Sequence, residues 1–173
     1  HFWNTACAAD SINCHGLAIS YQARCMSETR DETACAAAAP KVLEAGCAAG
    51  VMPICSRLGS HLVEGTAGFS PAPAKGRDFL ARACEGGEME ACMAHGRHIL
   101  GDRRTTDRRS EAPLETACTA GARAACELLG LLIDRYAESP TDHGRVVHAL
   151  ERGCAPAHPV ACAHLAHRLT RTW

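Results

Sequence analysis

The residues in this chain best suited to chemistry are its twelve cysteines and ten histidines. A free thiolate is a nucleophile or a metal ligand, whereas a paired sulfur is neither, so the distribution of the cysteines comes first. Eight of them form four pairs of one spacing, C-x7-C: Cys47/Cys55, Cys84/Cys92, Cys118/Cys126 and Cys154/Cys162. Structural zinc sites use C-x2-C to C-x4-C knuckles, and no C-x2-C occurs anywhere here. An even, locally paired set reads as disulfides formed in an oxidising compartment such as the periplasm, the cell surface or the exterior.

The elements that position these pairs also recur. Successive first cysteines lie 37, 34 and 36 residues apart, the period of stacked helix-turn-helix units. Four residues before each stands a leucine: Leu43, Leu80, Leu114 or Leu150. Three residues after come Gly50, Gly87, Gly121 and then Ala157, at a place where glycine suits the left-handed end of a helix. Beyond the second cysteine, Leu58/Gly59/Leu62, His95/Gly96/Ile99, Leu129/Gly130/Ile133 and Leu165/Ala166/Leu169 trace an amphipathic stripe. Its central residue is small enough for a neighbouring helix to approach. Each unit reads as helix A, tight turn, helix B.

On one continuous helix, residues eight apart would be separated by about 12 Å. A disulfide needs Cα atoms within about 7 Å. The glycine turn folds helix B back onto helix A and lets the bridge close. Each such staple is worth roughly 2.5 kcal/mol in the chain-entropy model. It matters because aromatics make up only 4% of the chain, so Ala-rich units bury little area.

Cys7 and Cys14 fit as a copy one residue shorter, with Trp3 at the leucine position and Leu17, Ala18 and Tyr21 on the stripe. Only the last turns of that helix A precede Cys7, so its front half is expected upstream of His1. The absence of an initial Met points the same way. Cys25 and Cys35 lie in the longest interval and are expected to pair with each other across a connector. The expected architecture is one all-α repeat domain over 1–173, with units near 1–24, 36–65, 74–101, 110–137 and 141–172.

The repeat L-x3-C-x2-G-x4-C-x2-L-G-x2-[LI] resembles the Sel-one-like repeat, which is tetratricopeptide-like, and its disulfide-rich branch, the Helicobacter cysteine-rich proteins. Leu80, Cys84, Gly87, Cys92, Gly96 and Ile99 carry the pattern in one unit, and Leu114, Cys118, Gly121, Cys126, Leu129, Gly130 and Ile133 in the next. His95 stands where leucine is usual, and Ala157 and Ala166 replace glycines in the last unit. The resemblance implies a right-handed α/α solenoid with A helices lining a concave groove. It implies a non-catalytic scaffold for protein-protein interaction, or an accessory subunit of an extracytoplasmic assembly, with a protein or peptide partner in the groove. It also leaves a second reading, a binder of β-lactams or peptidoglycan fragments with weak β-lactamase-like hydrolysis.

No catalytic residue comes with either reading. Ser20, Ser56 and Ser60 lack an S-x2-K or G-x-S-x-G context, and no phosphate loop appears. His95/His98 and His164/His167 are spaced i, i+3 on expected helices, and His61 and His98 hold equivalent positions, yet no Asp, Glu or Cys at fitting spacing completes a ligand set. The expectation is therefore no metal and no cofactor, with His95 a hydrogen-bonded core residue and the other histidines solvated.

Charge supplies the remaining candidates. Glu44, Glu115 and Glu151 recur three residues before the first cysteine, and Arg82 and Arg152 two before it. They are candidates for partner contact along the groove, or else ordinary solvated surface. A net charge of −1 gives no field to hold nucleic acid, and the arginine-rich segment 101–110 reads as an exposed loop whose aspartates cancel half its charge. No run of eighteen apolar residues appears, so no transmembrane segment is expected. Ser110 or Thr141 is expected to cap a helix A, and Pro156 and Pro159 to alter the last turn.

Overall fold

The computed structural model describes residues 41–66, 69–102, 104 and 107–170. The expected Cys7/Cys14 and Cys25/Cys35 bridges and the first repeat lie outside them. Eight helices and no strand occur among the described residues: α1 (41–48), α2 (Met52–Glu64), α3 (Pro73–Glu85), α4 (Met89–Gly101), α5 (Glu111–Thr119), α6 (Arg123–Tyr136), α7 (Pro140–Gly153) and α8 (Pro159–Thr170). This is the all-α helical-repeat class that the period implies. Contacts divide the chain into two compact units between Ala91 and Cys92, within α4.

In the first unit Gly50 takes φ +86, turning the chain between α1 and α2 where a side chain would be strained. The turn brings Cys47 and Cys55 to a Cα separation of 4.6 Å, and they are bridged. Leu43, Ile54, Leu58 and Leu62 are buried. The small residue of the stripe is used as expected: a Cβ on Gly59 would stand 2.7 Å from Leu80 Cγ and 2.8 Å from the Gly76 carbonyl oxygen. Gly76 is equally close to α2, 2.7 Å from the Gly59 oxygen by the same construction, so two glycines let α2 and α3 approach backbone to backbone.

The second unit repeats the scheme. Gly121 has φ +97, and Cys118 and Cys126 are bridged at a Cα separation of 4.6 Å. Leu114, Leu129, Ile133 and Leu150 form the core with Leu128 and Leu132, two residues outside the stripe. Leu128 and Leu132 cover Gly96 of α4, where a Cβ would meet Leu128 Cδ2 at 2.8 Å.

The last hairpin departs from the pattern, and its prolines account for part of this. The helix α7 ends at Gly153, one residue before the cysteine, and Cys154 is extended at φ −63, ψ 118. A tight turn from Ala155 to His158, closed by a 2.8 Å backbone bond, replaces the left-handed glycine. Cys154 and Cys162 still bridge at 4.6 Å. The stripe on α8 is not covered as the others are: Leu169 is 63% exposed, and Ala161 is the buried residue of this helix.

Two local expectations are corrected. The cap of α7 is Ser139, whose Oγ accepts from the Asp142 backbone N–H at 3.1 Å, because Pro140 occupies the first turn and leaves Thr141 already inside the helix. Ser110 does sit at the N-cap of α5, but its backbone is helical and its hydroxyl makes no capping bond.

Candidate functional site

The fold brings residues of two consecutive A helices together over an apolar floor. In the second unit a cleft of about 420 Å³ lies between α5 and α7. Its floor is Leu129, Ile133 and Ala149, and its rim carries Glu115, Arg145, His148 and Arg152. Two of the five residues anticipated for partner contact, Glu115 and Arg152, therefore line one cavity. The remaining three do not line it. Glu151 is exposed on α7, while Glu44 and Arg82 belong to α1 and α3 of the first unit, both exposed.

The rim is already organised by contacts within the fold. Arg152 Nη2 donates to the carbonyls of Cys118 and Thr119, both at 3.0 Å, and so satisfies the C-terminal end of α5. Arg145 Nη2 pairs with Glu115 Oε2 at 3.2 Å. Lys75 and Glu44 form the same kind of pair at 3.6 Å in the first unit. Both pairs join an acid three residues before one first cysteine to a base nine residues before the next. The recurrence of the acids is visible in the sequence, whereas that of the bases gains a reason only from the packing of the A helices. The intervening repeat has Ala81 at the acidic position, and Arg109, at the basic one, turns instead to Asp107.

Arginines also link helices in a way that spacing did not reveal. Arg135 at the end of α6 donates to the carbonyls of Ile99 and Asp102, the latter at 2.6 Å, at the end of α4. Arg168 of α8 pairs with the Asp134 carboxylate. These contacts span 33 to 36 residues and fasten the end of one helix B to the next.

His95 is fully buried, as expected, and its Nε2 lies 3.3 Å from Asp107 Oδ2. Burial alone would raise the Asp107 carboxyl, but hydrogen bonds and charge from Arg109, with His95 beside it, hold its pKa down at about 2. Asp107 thus ties down one point of the segment expected to be an exposed loop, in which Gly101, Arg104, Arg108 and Arg109 are exposed. Arg108 adds a second anchor, bonding to Glu111 at 2.5 and 3.1 Å and lying over the Tyr136 ring.

Other histidines are less solvated than anticipated. His61 stacks on Phe69 and reaches Thr66 Oγ1 at 2.7 Å. Burial, then the positive Arg57, lower its pKa against the opposing influence of Glu64. His158 Nδ1 lies 2.8 Å from Glu127 Oε2. No cluster of three or more His, Cys, Asp or Glu placed to hold a metal occurs among the described residues.

Cys84 and Cys92 are disulfide-bonded like the three pairs above, so no free thiol exists among the described residues. Bridges of this density belong to an oxidising environment. No described helix is long and apolar enough to cross a membrane. No protein-family model, curated protein or solved structure matches the chain.

Proposed function

We propose that this chain is a non-catalytic interaction scaffold of the Sel-one-like, cysteine-rich type, working in the periplasm, at a cell surface or outside the cell. It takes an extended protein or peptide segment on its A helices. The observation that carries this reading is the cleft between α5 and α7, where an apolar floor of Leu129, Ile133 and Ala149 lies beneath a charged rim. Apolar concavities with a few placed polar groups are the usual form of a recognition site. The rim residues are held by the fold itself, Arg152 on helix-end carbonyls and Arg145 on Glu115, so binding would not have to order them.

Gly144 supplies the test. It lines the cleft, and a Cβ there would meet nothing within 4 Å. Gly144→Trp should fill the cavity without disturbing a packed contact. Peptides selected against the folded chain from a random displayed library should bind the parent protein and lose that binding in Gly144→Trp at unchanged melting temperature. Selected peptides that bind both proteins equally, or a library that yields no binder, would overturn the reading.

A further inference from the structure

The bridges are not equally protected. Cys47, Cys55, Cys84, Cys92, Cys118 and Cys126 are each at most 4% exposed, whereas Cys154 and Cys162 are both part-exposed. The cause is local. In the other described hairpins the first cysteine lies within its helix A, but Cys154 follows the end of α7 in extended backbone. The turn after it shifts the second sulfur as well. Cys55 and Cys126 place Sγ 3.5 Å from the carbonyl of the cysteine they bridge, whereas Cys162 Sγ lies 3.9 Å from the carbonyl of Ala155. Arg123 reaches the Cys154 carbonyl at 3.4 Å and sets a positive charge beside this bridge.

From this we infer that Cys154–Cys162 is a thiol-exchange site, the staple that a dithiol reductant opens while the protein remains folded. Exchange requires a thiolate to reach a sulfur, and the guanidinium of Arg123 favours the approach of that anion. The attacking thiolate forms a new S–S bond to one cysteine and the other leaves as a thiolate that takes a proton from water. The second thiol of the reductant then attacks the mixed disulfide. The products are two protein thiols and an oxidised dithiol, a transfer of two electrons. Little else need change, because Ala161 is the buried residue of α8 and no α8 residue lines the cleft between α5 and α7. The site is independent of any partner in that cleft.

The test exposes the folded chain to dithiothreitol, quenches aliquots with N-ethylmaleimide and maps the labelled peptides. Cys154 and Cys162 should label at least about tenfold faster than the six buried cysteines, since each 1.4 kcal/mol or so of opening free energy slows a buried bridge tenfold. The rate should rise in proportion to dithiothreitol, with the helical circular dichroism signal retained. Equal labelling of all four described pairs would overturn the inference. So would a rate independent of dithiothreitol, which would mean that unfolding must come first.

Discussion

Gly130 of α6 and Leu150 of α7 are packed so closely that a Cβ on the glycine would stand 2.6 Å from Leu150 Cδ2. Gly59 and Leu80 stand in the same relationship in the first unit, at 2.7 Å to Leu80 Cγ. In both cases the leucine four residues before a first cysteine enters the gap left by the small residue of the preceding helix B. This lock joins the helices at two of the described repeats, while the equivalent Gly96 is covered by Leu128 and Leu132 instead.

Gly130→Leu should therefore force α6 and α7 apart. Overpacking of a filled core costs about 1–3 kcal/mol, and the fully buried Leu150 side chain has no solvent to turn into, which places this site at the upper end. Gly144→Ala, in open space on α7, should be neutral or stabilising by up to about 1 kcal/mol through reduced chain entropy. Thermal melting of the two variants checks this. Glu127 would be a poor control, because its carboxylate meets His158 and its backbone faces Gly153.

The hydrogen bonds and charge that Arg109 gives Asp107, with His95 beside it, make stability depend on pH in a defined window. The folded pKa of Asp107 is about 2, below its ordinary 3.8, so its stabilising contribution is fully present above pH 3.8 and is lost as pH falls through about 2. Asp107→Asn should remove that acid-sensitive component while lowering stability at neutral pH. Denaturant titrations of both proteins between pH 2 and 6 would show it.

The arginines should divide by what they touch. Arg135→Met removes two hydrogen bonds from a charged donor to the carbonyls of Ile99 and Asp102, at an expected cost of about 1–3 kcal/mol. Arg145→Met removes solvent-accessible pairs with Glu115 and Asp142 and should cost at most about 1 kcal/mol, less at high salt. Urea titrations at low and high ionic strength separate the two.

If the chain is a scaffold, a fluorescent penicillin should leave no covalent, saturable label on the folded protein. Labelling that survives denaturation and maps to one residue would favour the β-lactam reading instead.

The repeat was legible because its signals are local. Leu43 to Cys47 to Gly50 fixes a helix, a staple and a turn within eight residues, and Gly59 announces a close approach before the partner helix is known. The parts that were hidden depend on distance in sequence or on competition between neighbours. Asp107 reaches His95 across a loop, and Arg135 reaches Asp102 across a repeat. The bases of the two interhelical pairs had no visible reason to recur until α1 and α3, and α5 and α7, were placed side by side. Ser139 displaced Thr141 as a cap because Pro140 starts the helix one residue earlier than the period alone indicates. In the last hairpin the substitution of Ala157 for glycine was visible, but its effect on Cys154 was not.

Local stapling of each helical hairpin is the claim on which the rest depends, and peptide mapping of the unreduced, alkylated protein tests it directly. The links Cys47–Cys55, Cys118–Cys126 and Cys154–Cys162 should be recovered, with Cys84 and Cys92 also oxidised and none of these eight residues alkylated. Free thiols at these positions, or links that join one C-x7-C pair to another, would contradict the hairpin register and the placement of the cleft built on it.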